Sequence, residues 1–316
     1  MNINYDDRQT PQFRVLSDQQ MEKECTRYED TRRESVETVL RSAKATVIIS
    51  PERPTVLIGE RINPAGRKRL AAELVAGNVE IVKTEALGQI AAGADVIDVN
   101  VGAAGVDEVA LLPRAVEMVQ EVVEAPLSID TTDHAALAAA LEVYQGKPLV
   151  NSVNGEERNL SRVLPLVSEH GAVVIGLCMD EGGIPDDPHR RLEIARKIVE
   201  RAEALGIPPQ DILIDCLALT VSADSKATLV TLETIRLVRA ELGVNMTLGA
   251  SNVSFGLPDR EVLNWAFLAM AIRKGVNAPI VNAARVRQAV LAVDVLLGRD
   301  EFAMRYIKHY RKKQKK

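Results

Sequence analysis

Eight short apolar runs recur along the chain from about residue 55 onward, and nearly every run ends in polar side chains. Between the runs, apolar residues recur at helical spacing, as Val79, Val82, Ala86 and Ile90 do after the first run. Continuous Val/Ile/Leu runs predict strands buried on both faces, and their alternation with helices predicts a parallel sheet. The runs end in residues 59–63, 97–100, 128–130, 149–154, 175–180, 212–216, 248–254 and 278–282.

Eight strand–helix units predict an α/β chain that closes into a (β/α)8 TIM barrel over residues 54–305, with an N-terminal helical extension. An open doubly wound sheet is the competing architecture. That fold is expected to carry a glycine-rich phosphate turn, and neither GxGxxG nor GxxxxGK[ST] occurs in the sequence. In a TIM barrel the active site lies at the carboxyl ends of the strands, so the polar endings are expected to converge on one pocket.

Helical spacing also predicts which face each helix turns toward the barrel. Pro113 is expected in the first turn of the helix that follows the second strand, where proline is tolerated. The predicted apolar faces of two later helices are Leu229, Leu232, Ile235 and Val238, and then Val262, Ala266, Phe267 and Met270.

The two ends of the chain differ from the barrel. Within the extension, residues 1–53, the stretch 18–44 is dense in both charge signs with a sparse apolar stripe, which predicts an exposed amphipathic helix. Residues 46–49 predict a short strand that folds back beside residues 55–58 as a lid over the barrel bottom. Residues 306–316 are expected to form a basic C-terminal tail, and the dense charges of residues 311–316 predict that its last part is solvated and disordered.

Composition narrows the function classes. The chain has 316 residues, 47% of them hydrophobic and 26% charged, which is typical of a soluble globular protein. A net charge of −5 argues against nucleic acid as a partner, and no apolar stretch is long enough to predict a membrane span. Cys25, Cys178 and Cys216 are widely spaced, which predicts a reducing compartment; with no signal-peptide pattern at the N-terminus, a cytoplasmic location is expected.

The strand ends carry carboxylates and amides but no histidine and no lysine. Without histidine a multi-histidine zinc site is disfavoured and no metal is predicted, and without lysine a Schiff-base mechanism is disfavoured. Carboxylates and amides suit a flat heterocycle with both donors and acceptors, such as a pterin, although any single Asp or Asn could instead cap a helix or form a turn. The residues are Glu60, Asn63, Asn100, Asp130, Asn151, Asn154, Asp180, Asp215, Asn252 and Asn282.

Seven segments at these strand ends also carry a resemblance. They are Gly59-Glu60-Arg61-Ile62-Asn63, Asp98-Val99-Asn100-Val101-Gly102, Asp130-Thr131-Thr132, Asn151-Ser152-Val153-Asn154, Gly182-Gly183-Ile184-Pro185, Ile214-Asp215 and Ser251-Asn252-Val253-Ser254. In this order, over roughly residues 55–300, they resemble the pterin-binding methyltransferases that use methyltetrahydrofolate and a corrinoid protein.

The resemblance implies a homodimeric barrel that transfers a methyl group between N5 of tetrahydrofolate, or methyltetrahydrofolate, and the cobalt of a corrinoid (cobalamin) on a partner protein. It implies that Asp130, Asn151 and Asp215 hold the pterin ring, that Asn252 hydrogen-bonds N5, and that Arg260 lies along the folate. Asn252 and Asp215 are the predicted catalytic residues. The predicted substrate-binding set is Glu60, Asn100, Asp130, Asn151, Asp215, Ser251, Asn252, Arg260 and Asn282.

Three absences refine this interpretation. Residues 60–63 read Glu-Arg-Ile-Asn where dihydropteroate synthases carry Asn-Val-Thr-Pro, the zinc-thiolate module of methionine synthase is missing, and no Asp-x-His-x-x-Gly is present to bind a corrinoid in this chain. The corrinoid is therefore expected on another protein. Asn282 and Arg285 depart from the acidic residues of the shortest family members. A dihydropteroate synthase-like enzyme and a non-catalytic pterin-binding barrel remain as alternatives.

Overall fold

Eight parallel strands close into one barrel in the computed structural model, which describes residues 36–314. Each strand pairs with its neighbours in chain order, and the last pairs with the first. The predicted TIM barrel is therefore confirmed, and each predicted apolar run forms one strand. The strands are β3 Ile58–Ile62, β4 Val96–Val99, β5 Leu127–Asp130, β6 Leu149–Asn154, β7 Val173–Leu177, β8 Ile212–Asp215, β9 Asn245–Gly249 and β10 Ala278–Val281.

Helices follow the barrel strands and cover the outside of the barrel. They are α1 Lys68–Val75, α2 Glu80–Ala92, α3 Glu108–Val122, α4 His134–Val143, α5 Glu157–Glu169, α6 Pro188–Glu203, α7 Ala227–Glu241, α8 Arg260–Lys274, α9 Ala283–Leu296 and α10 Met304–Gln314. The prediction for Pro113 was wrong: Asp107 caps α3 by accepting from Ala110 N at 3.2 Å, so the helix begins at Glu108 and Pro113 lies inside it.

Strand alternation divides the apolar residues into two cores. Ile97 and Val99 face the helices. Val96 faces the barrel axis and packs in a second cluster with Ile58, Leu149, Leu213 and other apolar side chains. The inner core fills the lower part of the barrel, toward the amino ends of the strands. The next inward position on each strand, two residues further on, reaches the carboxyl end of the barrel.

A β-hairpin seals the amino end of the barrel, where the sequence predicted a helix through residue 44. Strand β1, Thr38–Arg41, pairs antiparallel with β2, Thr46–Ile49, so β2 is the predicted strand but does not pair with residues 55–58. Leu40 and Ile49 are fully buried in the inner core. Asn245 Nδ2 on β9 donates to Thr38 Oγ1 and to Ile49 O, both at 2.9 Å. The first part of the predicted helix lies outside the described residues.

Two further predictions were wrong. Residues 304–314 form helix α10, so residues 311–314 of the predicted disordered segment are helical, although they are exposed to solvent as predicted; Asp300 accepts from the backbone amides of Arg305 and Tyr306 at 3.0 Å and so fixes the first turn. On α8, Val262 and Met270 are exposed, whereas the opposite face is buried. No helix among residues 36–314 is long and apolar enough to cross a membrane.

Candidate active site

A layer of polar side chains lies on the apolar floor of the barrel. We call Glu60, Asp98, Asp130, Asn151 and Asp215 the polar layer. Each stands at an inward position near the carboxyl end of its strand, so strand geometry alone turns the side chain toward the barrel axis. Four of the five were predicted from the sequence; Asp98 was noticed at a strand end but was not included in the predicted site.

Asp98 and Asp130 form a coupled acid pair inside this layer. Burial, together with the charge of Asp130, raises the pKa of Asp98 well above its usual value. Burial raises the pKa of Asp130 to about 6, although hydrogen bonds from Asn100 and Asp98 oppose the increase. Asn151 Nδ2 donates to Asp98 Oδ1 at 3.2 Å. Burial therefore opposes ionisation of both carboxyl groups, and a bound ligand that supplies hydrogen-bond donors would relieve this cost.

Asp215 is the most rigidly held carboxylate of the layer. Its two oxygens accept separate backbone amides, from Leu217 N at 2.7 Å and from Gly249 N at 3.2 Å. Burial raises its pKa to about 6 in spite of those hydrogen bonds. The fully buried Arg191 donates to Cys216 O and Leu217 O at 2.8 Å and fixes the loop that follows. Each Asp215 oxygen keeps a lone pair for a ligand donor.

The turn after β9 presents an amide with no protein partner. Arg260 holds the turn, because Nε donates to Ser254 Oγ at 2.9 Å and Nη2 donates to Ser251 O at 2.7 Å. Ser251 Oγ in turn donates to Glu60 Oε1 at 3.1 Å. Asn252 is exposed between them, and within residues 36–314 its side-chain amide makes no hydrogen bond. Because the turn is held in place and the Asn252 side-chain amide is free to form hydrogen bonds, this residue is suited to contact a ligand at the carboxyl end of the barrel.

Two predicted amides also have local structural roles. Asn100 Oδ1 accepts from Gly102 N at 2.8 Å, which leaves its Nδ2 for Asp130. Asn282 Oδ1 accepts from Ala284 N at 3.2 Å and caps α9. For Asn282, the alternative that a strand-end amide caps a helix is correct, although the residue still lines the cavity described next.

A cavity of about 540 Å³ opens beside the polar layer, between β3, α2, α8 and α9; we call it the mouth cavity. Glu60, Ser251, Arg260 and Asn282 line it. Burial raises the pKa of Glu60, against the lowering effect of its hydrogen bond from Ser251. The structure thus places seven of the nine predicted substrate-binding residues in two connected groups, because Glu60 belongs to both the layer and the cavity. Asn100 contacts the layer through Asp130, and Asn252 follows Ser251 in the turn after β9.

Other polar strand-end residues serve turns instead. Asn63 Oδ1 accepts from Ala65 N, Asn154 Oδ1 from Glu156 N, and Asp180 Oδ1 from Gly182 N, at 2.9 to 3.0 Å. Cys178 and Cys216 are both fully buried. In the described part of the chain, no cluster of three or more His, Cys, Asp or Glu side chains has the arrangement of a metal site.

Asp98 is absent from the predicted site, although the alternation of β4 indicates which way its side chain points. Val96 faces the barrel axis, so Asp98 must face it too, whereas Val99 faces the helices. Gln89 was also missed; it comes from α2, not a strand end, and reaches the mouth cavity past Gly59, where a Cβ atom would lie 2.3 Å from Gln89 Oε1.

Comparison with known proteins agrees with this arrangement. The model of the pterin binding enzyme family matches residues 59–282. The chain is 30% identical over 266 residues to the methylcorrinoid:tetrahydrofolate methyltransferase of Eubacterium limosum, covering 81% of this chain and 96% of that protein. It is 32% identical over 259 residues to the methionine synthase of Mycobacterium leprae, covering 78% of this chain but only 22% of that much longer protein.

Solved structures with the same fold include two dihydropteroate synthases. The Yersinia pestis enzyme with a pterine-sulfa conjugate gives a TM-score of 0.64 at 19% identity, covering 83% of this chain and 99% of that one. The Xanthomonas albilineans enzyme gives 0.61 at 21% identity, covering 83% and 98%. At these identities the likeness concerns the fold alone. The family match over the whole run of strands that builds the polar layer shows that this chain belongs to the pterin binding enzyme family.

Proposed function

We propose that this protein transfers a methyl group between N5 of tetrahydrofolate and the cobalt of a corrinoid carried on a separate protein. The observation that carries the proposal is the polar layer: a buried acid pair, an amide and a fixed carboxylate, beside an unpartnered amide at Asn252. The relative from Eubacterium limosum is named as a methylcorrinoid:tetrahydrofolate methyltransferase and matches this chain along nearly its own whole length, which supports the same reaction here.

Substrate binding follows from the donor and acceptor pattern of the layer. The pyrimidine edge of a pterin presents N–H donors beside a carbonyl acceptor, and carboxylates accept whereas amides do either. Asp215, held by two backbone amides, is proposed to accept from the ring without moving. Asp130 and Asn151 are proposed to complete the edge, with Asn151 held in place by its hydrogen bond to Asp98. A dry pocket makes each of these hydrogen bonds selective, because an unmatched group there costs about 1–3 kcal/mol.

Asn252 is proposed to act on N5. A neutral amide can donate to N5 or accept from protonated N5, so the contact can follow the change in charge at that nitrogen as the methyl group moves. Arg260 and Ser254 hold the turn rigid, and this limits the reorganisation needed to bring the amide to the ring. Glu60 is proposed to anchor the other end of the turn through Ser251.

The second substrate site is proposed above the barrel mouth. A corrinoid supplies a cobalt centre that gives or takes the methyl group. The relative from Eubacterium limosum is named for such a methylcorrinoid, and we propose that a partner protein brings this cofactor to the open carboxyl end of the barrel. The remaining residues of the site exclude water from the ring and hold the folate while the partner docks.

The proposed assembly is a homodimer through α8. Val262 and Met270 lie eight positions apart on one helix face and are 56% and 44% exposed. Leu263 and Trp265 extend this apolar surface and are 38% and 40% exposed. Exposed apolar side chains clustered on a helix are typical of an interaction surface, and a second copy would bury them symmetrically.

The decisive assay mixes the purified chain with tetrahydrofolate and free methylcobalamin and follows the visible spectrum of the corrinoid. We expect enzyme-dependent demethylation that requires tetrahydrofolate. A parallel reaction with p-aminobenzoate and a dihydropterin pyrophosphate tests the dihydropteroate synthase alternative, for which only the shared fold argues. Condensation without methyl transfer would overturn the proposal, and folate binding without either reaction would favour the non-catalytic alternative.

A further inference from the structure

A second cavity continues from the mouth cavity along the outside of the barrel. It measures about 700 Å³ and runs between the end of α2, α9 and α10; we call it the basic groove. Ala92, Ala284 and Arg285 line both cavities, so the two spaces meet at these residues. The path therefore begins at Glu60 in the polar layer and ends beside the C-terminal helix.

The basic groove has the opposite charge to the protein as a whole. Among the described residues, six cationic side chains and one carboxylate, Glu261, line it, although the chain carries a net charge of −5. The cationic residues are Arg285, Arg287, Arg305, Lys308, Lys312 and Lys313.

These cations are only partly neutralised by the protein. Arg285 pairs with Glu261 at 3.0 Å and Arg287 with Asp95 at 3.4 Å, but Lys308 and Lys312 make no ion pair with any residue from 36 to 314. His309 lies among them, and its pKa is lowered by burial and by the nearby charges of Arg287, Lys313 and Lys312. The groove thus holds an uncompensated positive field, which favours an anionic occupant.

A folate with several glutamates fits both halves of this path. Beyond its pterin ring, a folate has a p-aminobenzoyl group joined by an amide to glutamate, and further glutamates add one free carboxylate for each γ-linked residue. We propose that the basic groove binds an oligo-γ-glutamyl tail of the folate, whose benzoyl-glutamate part would pass through the mouth cavity. This inference rests on the proposed function, since it extends the same substrate outward from the polar layer.

The test compares tetrahydrofolate monoglutamate, triglutamate and pentaglutamate by calorimetric titration of the full chain. Exposed ion pairs are individually weak, so we expect about twofold tighter binding for each added glutamate, or about 16-fold for the pentaglutamate, which has four more than the monoglutamate. The gain should shrink in about 0.5 M salt, because screening weakens exposed charges.

Charge reversal at Lys308 and Lys312 supplies the control for location. The double variant Lys308→Glu/Lys312→Glu should lose the gain with chain length and keep the monoglutamate affinity. Arg158→Glu/Arg162→Glu has the same i, i+4 spacing on exposed positions of α5, across the barrel, and should keep the gain.

The outcomes separate this proposal from the function on which it rests. Equal affinities across the series, or a full gain in the Lys308→Glu/Lys312→Glu variant, would overturn the tail site alone. Failure to bind even the monoglutamate would contradict the proposed function itself. If the double variant instead slows transfer from a corrinoid protein equally for the monoglutamate and the pentaglutamate, with unchanged folate affinities, the groove is a protein docking face and the tail proposal is wrong.

Discussion

Asp98 and Asp130 place two carboxyl groups in the buried interior of the barrel, where even one negative charge is unfavourable. Their pKa values are raised chiefly by burial; the charge of Asp130 raises the pKa of Asp98 further, whereas a hydrogen bond with Asp98 lowers the pKa of Asp130. Asn151 and Asn100 reduce this cost by hydrogen bonding but do not remove it. Such an arrangement is expected where a ligand supplies the missing donors, and it leads to a prediction about stability as well as binding.

Asp130→Asn should stabilise the protein without ligand above neutral pH. The pKa of Asp130 is raised from 3.8 to about 6 in the folded chain, so the favourable contribution of its protonated form is present below about pH 4 and is lost as pH rises through about 6. The neutral amide avoids that loss, worth about 1–3 kcal/mol at pH 8.

Thermal melting between pH 4 and 8 measures this effect. The gap between Asp130→Asn and wild type should open as pH rises, while tetrahydrofolate affinity falls in the variant. Glu117→Gln changes an exposed carboxylate on α3 and should track wild type throughout. If the difference in melting temperature between Asp130→Asn and wild type does not change with pH, ionisation of Asp130 does not destabilise the folded protein and this account of the acid pair is wrong.

Asn252→Ala should separate chemistry from binding. Its amide has no hydrogen bond within the described residues, so the substitution should leave the melting temperature and the tetrahydrofolate affinity nearly unchanged. Loss of a donor that acts mainly in the transition state should slow methyl transfer on the order of 10²–10³-fold in single turnovers.

Asn63→Ala is the matched control, because that amide supports a turn through Ala65 N and should affect stability more than rate. A proportional loss of binding and rate in Asn252→Ala would count against a catalytic role.

At the scale of single residues, the sequence predicted the carboxylates and amides of the site better than their roles. Asp130, Asn151 and Asp215 were recognisable because each ends an apolar run. The pairing of Asp130 with Asp98 was not recognisable, because it depends on which positions of the adjacent strands β4 and β5 face the barrel axis at the same level. The helix-capping role of Asn282 likewise depends on where α9 begins, to within one residue.

The hairpin at the amino end shows why a short element escaped prediction. Residues 38–41 alternate between buried and more exposed positions for only four residues, within a segment whose charges suggest a helix. The pattern becomes a strand because Leu40 and Ile49 complete the inner core and Asn245 donates to the hairpin backbone. A tertiary contact therefore decided the local structure.

Asn245→Ala tests this account of the hairpin. The substitution removes donors to Thr38 Oγ1 and Ile49 O, and leaves Asn277 Nδ2 without its acceptor. Buried groups left unpaired should lower the free energy of unfolding by about 2–4 kcal/mol, measured by urea titration. Tetrahydrofolate affinity should be unchanged because the hairpin lies at the opposite end of the barrel. A loss of affinity in the folded variant would contradict a purely structural role.

Of the four α8 residues predicted to face the barrel, only Phe267 is buried, whereas Val262, Ala266 and Met270 are exposed, because both faces of the helix are apolar. Phe267, Leu268 and Ile272 pack on the barrel, while Val262 and Met270 are exposed. Periodicity identifies an apolar face but not the surface that covers it. The exposed face is the one that the proposed homodimer would bury.

For the whole molecule, Val262→Glu/Met270→Glu should convert a dimer into a monomer. The new carboxylates would be buried without partners in the dimer but solvated in the monomer. The substitutions should therefore favour dissociation without destabilising the fold of the monomer. Sedimentation velocity at micromolar concentration measures the change, and Arg158→Glu/Arg162→Glu serves again as the control. A wild-type chain that is monomeric under these conditions would refute the α8 dimer.

The barrel itself was the most predictable feature of the molecule. Eight apolar runs separated by helical periods leave few arrangements other than a closed parallel sheet, and closure brings the strand ends together. The sequence did not predict the mouth cavity and the basic groove outside the barrel. The end of the chain that forms α10 was expected to be disordered, and α2 was expected only to pack against the barrel. Both depend on long-range contacts.

The most direct test of the central claim follows a ¹³C-labelled methyl group by NMR. The purified chain is incubated with tetrahydrofolate and [¹³C-methyl]cobalamin, and the carbon resonance is recorded over time. We predict that the label moves to N5 of tetrahydrofolate only when the chain is present, and that Asn252→Ala slows this transfer far more than it weakens folate binding. A label that stays on cobalt, while tetrahydrofolate is bound and the protein is folded, would contradict the account.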